Sequence, residues 1–129
     1  MAIKVLAVDD EAGFTKLVKM NLERDKEFEV RVENSSNKAL SAALEFKPDV
    51  ILLDVVMPGM DGGDVLTQVK KNAALANIPV VFMTALMAPR EVGEKGFQMS
   101  PTGIVLPKPV NLDTLKKTLR DAANGEPVE

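Results

Sequence analysis

Apolar residues gather in short runs that break off at polar ones. Residues 3–8 are almost wholly apolar and stop at Asp9-Asp10, residues 50–53 stop at Asp54, and residues 78–83 stop at Thr84. A shorter run, 104–106, leads through Pro107 to Lys108-Pro109. Runs of this length bounded by turn residues predict buried strands. Residues 28–33 read differently: Phe28, Val30 and Val32 alternate with Glu29, Arg31 and Glu33, the pattern of a half-exposed strand.

Between the strands the period changes to that of helices. Phe14, Leu17, Val18 and Leu22 form one apolar stripe, and Ala39, Leu40, Ala43 and Leu44 a second. Val65, Leu66 and Val69 make a third, and Leu112, Leu115 and Leu119 the last. Ser35 or Ser36 is expected to cap the second helix, and Pro48 to stop it. Pro58, Gly59, Gly62 and Gly63 mark a turn before the third. Asn111 caps the last helix, with Asp113 in its first turn. Residues 88–103 contain Pro89, Gly93, Gly96 and Pro101, so a fourth helix there is expected to be short or irregular.

Strand and helix patterns in strict alternation predict βαβ units and an α/β fold. The first, third and fourth strands are apolar on both faces and belong in the middle of the sheet. The second alternates and the fifth carries Pro107, which suits an edge. The expectation is a flavodoxin-like, doubly wound, five-stranded parallel sheet of order 2-1-3-4-5 with helices on both faces. One domain is expected over residues 1–124, followed by a flexible tail over 125–129.

Composition narrows the chemistry. The 129 residues hold no cysteine and no histidine, which excludes disulfides, thiolate or imidazole metal ligands, and Ser/His or Cys/His catalysis. A net charge of −3 gives no basic footprint for nucleic acid. No apolar stretch approaches membrane-spanning length, and residues 1–8 are too short for a signal peptide. A cytoplasmic location is the expectation.

In a parallel sheet all strand carboxyl ends share one edge, where open α/β folds bind ligands. Asp9, Asp10, Asp54, Thr84 and Lys108 all sit at such ends. Each has a plain structural alternative: an acid pair can cap a helix, Thr84 can bond to backbone, Lys108 can be a solvated charge, and Asp54 can serve the turn that follows. Their conjunction at matching strand ends instead describes a metal-assisted phosphoryl site. Met57, Met60, Met83, Met87 and Met99 read as core and loop filler.

These elements, Asp9-Asp10, Asp54 within Asp-Val-Val-Met-Pro-Gly-Met-Asp-Gly, Thr84-Ala85 and Lys108-Pro109, resemble the receiver domain of two-component response regulators. The resemblance covers residues 3–124. It implies that Asp54 is the phosphoacceptor and that a histidine kinase is the donor. It implies Mg2+ as cofactor, held by Asp10, Asp54, the backbone carbonyl of Val56, and Asp9 directly or through water. Lys108 and Thr84 would each pair with a phosphoryl oxygen, and Pro109 would aim Lys108 into the site. The implied output is binding to a protein partner, as a monomer or weak dimer, and the composition adds the expectation of no nucleic-acid or membrane contact.

Three departures from the family stand out. Val105 occupies the position where receivers usually carry Tyr or Phe, and the chain has no Tyr or Trp. The fourth helix is rich in Gly and Pro. Val56 and Leu86, which would flank the path of a hydrolytic water, are both apolar and cannot orient one. A modified switch and slow self-dephosphorylation are therefore expected. The competing functions are a phosphate-shuttling relay receiver, a degenerate receiver acting as an interaction module, and a Mg2+-dependent aspartyl-phosphate phosphatase. The last resembles haloacid-dehalogenase-like enzymes, which need an aspartate where this chain has Val56. The chain is expected to catalyse only its own phosphorylation and dephosphorylation.

Overall fold

The computed structural model describes residues 2–24, 26–54, 62–84, 98–100, 103–107 and 111–125. Its strands are β1 (Ile3–Val8), β2 (Phe28–Glu33), β3 (Val50–Asp54), β4 (Val80–Thr84), β5 (Gln98–Ser100) and β6 (Gly103–Pro107). Its helices are α1 (Ala12–Glu23), α2 (Ala39–Phe46, entered through a 3-10 turn at Ser36–Lys38), α3 (Gly62–Lys71) and α4 (Leu112–Ala123).

The sheet runs β2-β1-β3-β4-β6-β5. The pairs among its first five strands are all parallel, so the expected order 2-1-3-4-5 is present, with β6 as the fifth strand of the sequence reading. A sixth strand adds to it. Residues 98–100, inside the segment where a fourth helix was expected, form β5 and pair antiparallel with β6. The outer edge on that side is therefore β5, not the strand containing Pro107. The proline is tolerated because β5 pairs with Gly103, Ile104 and Val105 only, so the β5–β6 ladder stops short of Pro107. The rest of the expected fourth helix lies outside the described residues, as do residues 126–129 of the expected tail.

Alternation along the strands makes two cores. Val5, Ala7, Val50, Leu52, Val81, Met83 and Leu106 face one side, where Val18 and Leu22 of α1 and Leu115 and Leu119 of α4 cover them. Leu6, Val8, Ile51, Leu53, Val80 and Phe82 face the other, covered by α2 and α3. The small Ala39, Ala42 and Ala43 let α2 lie close against the sheet. That helix ends at Lys47, whose left-handed backbone (φ 55°) sends its N–H to the Ala43 carbonyl at 2.9 Å, with Pro48 next.

Two helix stripes are rotated from expectation. Leu17 is 56% exposed and Leu44 41% exposed, whereas Thr15 and Ala42 are buried in their stead. Neither Ser35 nor Ser36 caps α2: its N-cap is Lys38, and the Ser35 side chain makes no capping bond. Asn111 caps α4 as expected, its side chain accepting from the N–H groups of Asp113 and Thr114.

Candidate functional site

Register sets the rim of the site. Val8 of β1 pairs with Leu53 of β3, so Asp9, one residue on, lies level with Asp54 at the carboxyl edge of the two central strands. Asp54 pairs in turn with Met83 of β4, which puts Thr84 one residue beyond it. Thr84 pairs with Pro107 of β6, and Lys108 follows Pro107 in the chain. Three neighbouring strands, β1, β3 and β4, therefore deliver Asp9, Asp54 and Thr84 to one edge, and Pro107 of the adjoining β6 ends level with Thr84.

The carboxylates of Asp9, Asp10 and Asp54 converge, each offering an oxygen within 4.8 Å of the others. Asp9 and Asp54 are buried and Asp10 is exposed, so the cluster reaches solvent through Asp10. Like charges this close repel, and a small hard cation bound by oxygen relieves the repulsion. The donor set of carboxylates without sulfur or imidazole suits Mg2+.

The helix-capping alternative for the acid pair is not what the structure shows. Glu11 occupies the N-cap of α1 and its side chain makes no capping bond. Asp9 instead accepts the Glu11 N–H at 2.9 Å through Oδ1, a tight turn that fixes the buried carboxylate at the strand end.

Two residues without a role in the sequence pattern, Asn34 and Thr15, support this turn. Asn34, just past β2, donates through Nδ2 to the Asp9 carbonyl at 2.7 Å and to the Thr15 hydroxyl at 2.8 Å. Thr15 donates in turn to the Ala12 carbonyl at 3.1 Å. The available signal was positional: Asn34 follows a strand that ends on the same edge as Asp9.

Of the remaining expected site residues, Thr84 and Val105 are placed on their strands, Val105 in register with Phe82. Val56, Leu86, Lys108 and Pro109 lie outside the described residues. Among the described residues no helix is long and apolar enough to cross a membrane.

Comparison with known proteins gives the same picture from a separate direction. The chain is 41% identical over 93 residues to the response regulator protein VraR of Staphylococcus epidermidis, covering 71% of this chain and 44% of that one. It is 31% identical over 112 residues to a probable cyclic di-GMP phosphodiesterase of Vibrio cholerae, covering 87% of this chain and 24% of the other. The chain spans less than half the length of the curated relatives it matches first. Among solved structures, the chemotaxis response regulator CheY4 of Vibrio cholerae superposes with a TM-score of 0.77 at 31% identity, covering 95% of this chain and 99% of that one. The family model described as the response regulator receiver domain matches residues 5–120, nearly the whole chain, and this chain therefore belongs to that family.

Proposed function

We propose that this chain is a phosphoacceptor signalling domain that takes a phosphoryl group on Asp54 from a histidine kinase and thereby changes its binding to a protein partner. The observation that carries this reading is the convergence of Asp9, Asp10 and Asp54 within 4.8 Å at the carboxyl edge of the sheet. Phosphorylation on aspartate is characteristic of the receiver family to which the chain belongs.

In the proposed reaction a carboxylate oxygen of Asp54 attacks phosphorus. The new O–P bond forms as the P–N bond of the donor's phosphohistidine breaks, and the imidazole nitrogen leaves with the bond pair. Asp10, Asp54, the Val56 carbonyl, and Asp9 directly or through water are the residues that would hold Mg2+. The cation would neutralise charge on the transferring phosphoryl oxygens. Lys108 supplies a fixed positive charge to one of those oxygens and the Thr84 hydroxyl a hydrogen bond to another. Pro109 sets the direction of Lys108.

The proposed unit is the receiver over residues 1–124, with 125–129 as a tail, working in the cytoplasm beside its kinase. The relatives include proteins named as transcriptional regulators and as a phosphodiesterase, so the output lies with a partner or with further sequence. A relay role is favoured by one specific feature. Val56 and Leu86 present no group that orients a water, so the phosphoryl group persists long enough to pass onward. A phosphatase reading is disfavoured by the same Val56, which cannot act as an acid or base.

Acetyl phosphate tests the reading without a kinase. The protein should gain one phosphoryl group in Mg2+, none in excess EDTA, and none as Asp54→Asn. Labelling that survives Asp54→Asn would refute it.

A further inference from the structure

The parallel ladder between β1 and β2 ends in an unusual way. Its last pair is Val8 with Glu33, and the Asp9 N–H still reaches the Glu33 carbonyl at 3.2 Å. One more step of a parallel ladder would send the Ser35 N–H to the Asp9 carbonyl. Ser35 instead turns its N–H to the Glu33 carboxylate at 3.3 Å, and the donor to the Asp9 carbonyl is the Asn34 side chain at 2.7 Å. The carboxamide thus stands in for a main-chain donor.

The same nitrogen also donates to the Thr15 hydroxyl at 2.8 Å, one turn into α1. Thr15 is buried, and its own proton goes to the Ala12 carbonyl. One NH2 group therefore grips both ends of the segment 9–15. That segment carries Asp9 and Asp10, and within it the Glu11 N–H holds the Asp9 carboxylate. A donor with two hydrogens in a planar group can do this, whereas a hydroxyl or a carboxylate cannot.

We infer that Asn34 is a positioning residue for the acidic cluster, acting through the Asp9 carbonyl and Thr15 to set the spacing of Asp9 and Asp10. The inference rests on the reading of that cluster as a cation site. Outer groups that orient ligands without touching the metal commonly alter its affinity tenfold or more. Asn34 is exposed, so its removal leaves the packed cores intact.

The test is a Mg2+ titration of the full chain followed by amide NMR shifts, with hydrogen exchange of the Glu11 amide in the metal-free protein. Asn34→Ala should weaken Mg2+ binding about tenfold and speed exchange at Glu11. Thr15→Val should shift both in the same direction, and Thr15→Ser, which keeps the hydroxyl, should restore wild-type affinity. Asp10→Asn separates the two levels of the argument. If Asp10→Asn abolishes binding while Asn34→Ala and Thr15→Val bind Mg2+ within twofold of wild type, the positioning role is overturned. If Asp10→Asn binds as wild type, the cation-site reading itself fails and the role falls with it.

Discussion

Glu23, the last residue of α1, accepts the Val30 N–H at 2.9 Å, and so seals an outward-facing donor of the edge strand β2. Lys19, one turn earlier, covers the Val30 carbonyl at 2.7 Å and bonds the Glu23 carboxylate at 3.0 Å. Unpaired strand edges invite pairing with other chains, and two side chains of one helix cover this one at Val30.

That arrangement gives a pH signature. Burial acts to raise the Glu23 pKa, but the Val30 N–H and the Lys19 ammonium outweigh it and hold the pKa below its ordinary value of 4.5. A depressed carboxylate contributes its stability above the ordinary pKa and loses it as pH falls through the folded-state value. Urea unfolding should therefore find Glu23→Gln less stable than wild type at pH 7, with the gap closing below pH ~4. A gap that stays constant from neutral to acid pH would contradict the assignment.

Leu119 is fully buried between α4 and the sheet. Leu119→Ala should cost about 3 kcal/mol by urea unfolding, as cavity-forming core truncations do. Leu17→Ala, at an exposed position of α1, should cost less than about 0.5 kcal/mol. Equal losses would mean that the α1 stripe is oriented as the sequence alone suggests.

The contrast shows where the sequence was legible. Strands β1, β3 and β4 announce themselves because both faces are apolar, and the acids at the ends of β1 and β3 come together because those two strands are neighbours. The α1 stripe departs from the apolar pattern because its buried face includes Thr15, a polar residue whose partner, Asn34, lies 19 residues away. Hydropathy cannot register a hydroxyl that is buried because it is bonded. Strand β5 escaped notice because three residues, Gln98–Ser100, are too few to show a period, and the Gly and Pro around them read as helix-breaking. Ser35 looked like a cap, yet its N–H is drawn to Glu33 and its side chain makes no capping bond to the helix.

Val56→Asn should shorten the life of the phosphorylated protein several-fold, because the carboxamide can orient a water that valine cannot. Loss of label is followed after removing excess acetyl phosphate. Rapid decay in the wild type, unchanged by the substitution, would contradict slow hydrolysis and with it the relay reading.

On the proposed reading, one carboxylate at this edge carries the phosphoryl group. The direct measurement is to incubate the protein with an autophosphorylated histidine kinase and Mg2+, reduce the acyl phosphate with borohydride, and sequence the product. Homoserine is expected at position 54 alone, absent in EDTA and absent from Asp54→Asn. Homoserine at Asp9 or Asp10, or transfer undiminished in Asp54→Asn, would contradict it.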